Sequence, residues 1–156
     1  MTADQNEMII NLLRSEWELL QAVVTTLKLS VYKCNAIGIK ESYSFEELES
    51  FDSLTSKFNR TSDIFTQKVL RSVWILLHEP FAPFIDMMNN CEKMRILSSA
   101  DQMIEIRDLR NQIAHEYLPD AIRELVPETL ELSASLFENI ETFRLFAASR
   151  KWLICE

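Results

Sequence analysis

Between Asp4 and about Ala36 the apolar positions Ile9, Leu13, Trp17, Leu20, Val24, Leu27 and Val31 step by 4, 4, 3, 4, 3 and 4. A helical turn brings such positions onto one face, so the spacing predicts a single long amphipathic helix. Gly38 falls just past its end, where a left-handed residue commonly closes a helix. Ser44 with Glu47 has the spacing of a capping box and opens a second helix. That helix runs to about Glu79 through the candidate core positions Phe51, Leu54, Phe58, Phe65, Val69, Val73, Leu76 and Leu77. Pro80 and Pro83 stop it, because proline lacks the amide donor and clashes with the preceding turn. A shorter helix over about 83–95 follows. Ser99 and Gln102 mark the next start, and Ile106, Leu109 and Ile113 carry a helix from about Ala100 to Tyr117. Pro119 suits the first turn of a last helix to about Trp152, kinked or restarted at Pro127.

Four long amphipathic helices with short connections predict an all-α fold, an antiparallel up-and-down four-helix bundle with one additional short helix. No internal repeat or linker interrupts the chain, so residues 1–156 are expected to form one domain with a substantial core. Composition supports the helical reading. One glycine and four prolines are too few for the turns a sheet protein needs. Three tryptophans and nine phenylalanines are more aromatic bulk than one small bundle is expected to hold, which suggests a helical dimer interface.

The chain has no run of about 18 apolar residues, so no membrane span is expected. Its acidic, polar start, MTADQNEMII, does not resemble a signal peptide. Cys34, Cys91 and Cys155 are odd in number and far apart, and they read as reduced thiols of a cytoplasmic protein. The net charge of −8 argues against nucleic acid at first sight. The charge is unevenly spread, however. Residues 57–110 hold eight Lys/Arg against seven acids, net +1, and the rest of the chain is −9. The middle can therefore present a local basic surface on an acidic body.

Several chemistries lack their residues. A single glycine cannot build a phosphate-cradling loop or a dinucleotide fingerprint. No CxxC, HExxH or Glu-x-x-His pair occurs, so neither metal nor cofactor is expected. His78, before Pro80, is placed to cap helix carbonyls. What remains is RNQIAHEY, residues 110–117. Arg107, Asn111 and His115 are spaced to form one helical stripe, and Arg110 with Tyr117 a second. An arginine can curl toward the imidazole from Arg110, while the plainer reading is a solvated face with His115 near a helix C-terminus.

RNQIAHEY resembles the R-x4-6-H motif of HEPN domains, with a polar residue directly after the arginine. In its longer form, R-x4-H-x-Y, it is similar to the HepT toxins of the HepT/MntA toxin–antitoxin systems. SKFNRTSDIFTQKVLRSV and EKMRILSSADQMIEIRDLRNQIAHEY fit the same pattern, and the resemblance covers about Phe51 to Tyr117. It implies a metal-independent endoribonuclease toxin with a composite site in a homodimer. His115 then moves the proton, Arg110 binds the phosphate and Asn111 orients an oxygen, with Arg107 in support. Lys68 and Arg71 lend further RNA contacts. Tyr117 is the residue a MntA-like nucleotidyltransferase antitoxin modifies with AMP. Two other readings stand beside this one: a noncatalytic, substrate-binding partner subunit of a small nucleotidyltransferase, and a plain structural bundle.

Overall fold

A computed structural model describes residues 1–154, and all regular structure among them is helical. The elements are α1 (Ala3–Ile37), α2 (Phe45–Asp63), a π-helical segment (Ile64–Val69), α3 (Leu70–Leu76), α4 (Phe84–Lys93), α5 (Ala100–His115), α6 (Pro119–Glu124) and α7 (Val126–Ser149). Cys155 lies outside the described residues.

Side-chain caps start the helices as the sequence suggests. Ser44 and Glu47 close a reciprocal capping box, and Ser99 Oγ accepts from the Gln102 amide. A further box, Thr2 with Gln5, opens α1 and was not anticipated. The ends differ more. Gly38 does close α1 at positive φ, 72°, but with ψ −165°, an extended region that essentially only glycine occupies. The expected last helix is two, α6 and α7, restarted with Pro127 in the first turn of α7. His78 does not cap carbonyls with its ring. Its backbone takes φ 57°, and its amide donates to the Ile75 carbonyl while Glu79 donates to Trp74, which closes α3.

The long second helix is one rod with a change of winding. At its centre the Leu70 amide donates to the Phe65 carbonyl, five residues back, which adds a residue to the turn. Thr61 and Thr66 hydroxyls donate to the carbonyls of Lys57 and Ser62, both just ahead of the π segment. The rod runs antiparallel to α1: Cys34 meets Ser50, Ser30 meets Lys57 and Glu16 meets Ser72. Helix α7 also runs antiparallel to α1, with Lys28 over Phe137 and Trp17 against Phe143.

The core lies between these rods and α5. Leu13, Leu20 and Leu27 meet Phe58, Phe65 and Val69, and Met103, Ile106 and Leu109 close it with Leu136 and Phe143. Asn139, fully buried on α7, clasps the start of α5: its Oδ1 accepts from the Ser98 and Ser99 amides and its Nδ2 donates to Gln102. The aromatic surplus expected at an interface is mostly inside. Only Phe45 and Phe81 among the nine phenylalanines are exposed; Phe51, Phe58, Phe65 and Phe143 are buried in the core and the other three are half-buried against it. The exposed large side chains are chiefly aliphatic.

Candidate functional site

Helix α5 packs its Ile106–Leu109–Ile113 side into the core, which turns Arg107, Arg110, Asn111 and His115 toward the surface. Arg110 does not curl toward the imidazole. It reaches across to α2, where Nε and Nη2 donate to Asp63 Oδ1 and Oδ2, each at 2.8 Å. Both side chains are about 30% exposed, so this bidentate pair is only partly screened by water. Hydrogen bonding to Asp63 pushes the Arg110 guanidinium above its ordinary value, so it stays charged at any working pH. Asn59, one turn before Asp63, adds a bond from Nδ2 to the Arg110 carbonyl at 3.2 Å. Its Oδ1 is buried with no hydrogen-bond partner among the described residues.

Around this pair is a cleft of about 170 Å³ that includes Arg107, Asn111, Thr66 and Phe84. The Arg107 guanidinium stacks 4.5 Å from the centre of the Phe84 ring, and its Nη2 lies 3.6 Å from Asp108. The Nε of Arg107 is buried and has no hydrogen-bond partner among the described residues. With the side-on edge of Arg110 spent on Asp63, its Nη1/Nη2 edge is the one left for an anion.

His115 ends α5 and is exposed, with no hydrogen-bond partner among the described residues. It lines a separate shallow cleft with Gln112, Glu116, Glu124 and Leu125. Tyr117 lies beyond the helix and does not continue a stripe from Arg110, since Glu116 and Leu118 are extended ahead of Pro119. It is 86% exposed and borders a cavity of about 650 Å³ with Phe45, Phe51, Ile113 and Ile122. Lys68, on the π segment, and Arg71, on α3, are exposed and line none of these clefts. The structure thus joins Arg110, Asn111 and Arg107, and sets His115 and Tyr117 in neighbouring clefts.

The sequence reading missed Asp63, Asn59 and Phe84. Asn59 and Asp63 are one turn apart on a helix whose other face is apolar, a polar pair aimed at something. Nothing local identifies α5 as the target. Among the described residues, no group of three His, Cys, Asp or Glu side chains is placed to hold a metal ion, and no helix is long and apolar enough to cross a membrane.

Fold and site together define an all-helical protein with an aspartate-anchored arginine on α5 and an exposed histidine at the end of the same helix, in separate clefts. No family model, curated protein or solved structure matches the chain.

Proposed function

We propose that the chain is a metal-independent endoribonuclease of the HEPN kind, with α1, α2–α3, α5 and α7 as its four-helix bundle. It acts as a homodimer that brings two copies of α5 together. The observation that carries the reading is RNQIAH on the last turns of α5 with EY just past its end, Arg110 fixed by two hydrogen bonds and His115 open to solvent. The Nη1/Nη2 edge of Arg110 binds a backbone phosphate, held in place by Asp63 instead of by the substrate. His115 of one copy takes the proton from the ribose 2′-hydroxyl as its oxygen attacks phosphorus. The P–O5′ bond breaks, a cyclic phosphate forms, and His115 of the second copy gives a proton to the departing 5′-oxygen. Asn111 orients a phosphate oxygen, and Arg107, Lys68 and Arg71 add positive potential to an acidic molecule, so binding weakens with salt. AMP added to Tyr117 by a partner nucleotidyltransferase puts a bulky anion two residues beyond His115 and silences the site.

A second reading, a noncatalytic partner subunit of a nucleotidyltransferase, draws on the closed Arg110–Asp63 pair and the separate clefts of Arg110 and His115. Incubation of the pure protein with RNA in EDTA separates the two. The ribonuclease reading expects cleavage that falls by about 10²–10⁴-fold in His115→Ala and in Arg110→Ala. Cleavage unchanged in His115→Ala, or no cleavage at all by the native chain, overturns it.

A further inference from the structure

Helix α1 carries a second apolar stripe on the side turned away from the core. Met8, Leu12, Ser15, Leu19, Ala22, Thr26 and Leu29 step by 4, 3, 4, 3, 4 and 3, and every one is exposed. Met8, Leu12, Leu19 and Leu29 are 65%, 51%, 44% and 66% exposed. The spacing is that of a heptad seam, and its small members let a neighbouring helix approach closely. Burial against α2, α3 and α7 accounts for the inner stripe and leaves this one uncovered. Over 21 residues it extends about 32 Å, long enough for three layers of knobs.

The charges on the same helix say what covers it. Residues 3–20 hold one arginine against four acids, net −3, whereas residues 21–37 hold two lysines and no acid, net +2. A copy of this helix laid parallel sets like charge on like charge. Laid antiparallel about a two-fold axis, it sets the acidic half of each copy against the basic half of the other, with Glu7 next to Lys33 of the second copy.

We propose that the outer face of α1 is a self-association surface, an antiparallel coiled coil with α1 of a second copy. The register that alternates seam positions layers Leu12 on Leu29 and Leu19 on Ala22 of the other copy, with the hydroxyls of Ser15 and Thr26 in the layer between. This contact is independent of RNA chemistry. It lies on α1, whereas Arg110 and His115 are on α5.

Cysteine linkage tests it directly. The variant Leu12→Cys/Leu29→Cys, in a Cys155→Ser background, is oxidised and its linked peptides are identified by mass spectrometry. The two positions are about 25 Å apart along one helix, so a bond between them can only join two chains. Bonds joining position 12 to position 29 are expected. Bonds joining 12 to 12 and 29 to 29, or a chain that stays unlinked, overturn the proposal. A second variant, Leu19→Glu, places a charge in the seam of an exposed position and leaves the core intact. Light scattering should read half the native mass with an unchanged far-ultraviolet circular dichroism spectrum, and an undiminished mass overturns the proposal. RNA cleavage by these variants is read separately, so a protein without ribonuclease activity leaves both outcomes decisive.

Discussion

Arg110 is held by a carboxylate 47 residues away in sequence, and that distance explains why the residue was visible and its partner was not. A motif is local, whereas an ion pair between helices depends on how they pack. The pair also makes a prediction. Asp63→Asn removes the charge and half of the fork with little change of shape, and should destabilise the fold by about 1–2 kcal/mol, the range for a partly screened charged hydrogen bond. The midpoint of urea unfolding reads this; an unchanged midpoint means the pair contributes nothing to stability. Cys91 sets a second residue-scale test. Burial pushes its thiol up to about 12, while the same thiol in an unfolded chain titrates near ~8.5. The unfolded chain releases its proton first, so stability is intact below that value and declines as pH rises toward the folded one. The slope is at most ~1.4 kcal/mol per pH unit. Urea midpoints compared at about pH 8 and 10 should fall in the native chain and fall less in Cys91→Ala, which removes the titrating group; equal slopes exclude Cys91 as the cause.

At the scale of elements, helix starts are more legible than helix ends, the Gly38 end of α1 apart. Ser44 and Ser99 announce a start because a side chain makes the bond. Three ends are made by backbone alone: His78, Arg95 and Lys151 sit at φ 57°, 61° and 61°, and each is followed by an amide that reaches back to the last full turn. With a single glycine in the chain, ordinary residues take the left-handed position, and a sequence gives no sign of it. Their strain is measurable. Arg95→Gly should stabilise the protein by about 0.5–1 kcal/mol and raise its melting temperature by about 2–4 °C. A melting temperature that falls instead would mean that the arginine side chain outweighs the strain. The end of α5 is half legible: Pro119 fixes the extended Leu118, but Ala114, Glu116 and Tyr117 carry no stop signal that marks His115 as the last helical residue.

For the whole molecule, the hydrophobic period fixed the four long rods, and its inner stripe on α1 was read correctly in position. The outer stripe is not separable by period alone, because its apolar positions alternate with Ser15, Ala22 and Thr26, and only exposure distinguishes it from scattered surface residues. If both the α5 contact and the α1 contact form, each is isologous and they lie on different helices of one chain. Such a molecule closes as a dimer of dimers when the two-fold axes meet at right angles, and otherwise extends as an open chain.

The π-helical turn has a bearing on how this sequence can change its length. Removing a residue from a regular helix rotates everything after it by about 100°, which would swing Val73, Trp74 and Leu76 out of the core. Between Ile64 and Val69 the rod already carries one residue more than a regular helix needs. Loss of an exposed residue there, such as Gln67, lets the turn relax to ordinary winding while α3 keeps its orientation. The rod from Phe45 to Leu76 therefore contains its own site for a tolerated deletion, one turn from Asp63 and directly upstream of the buried face of α3.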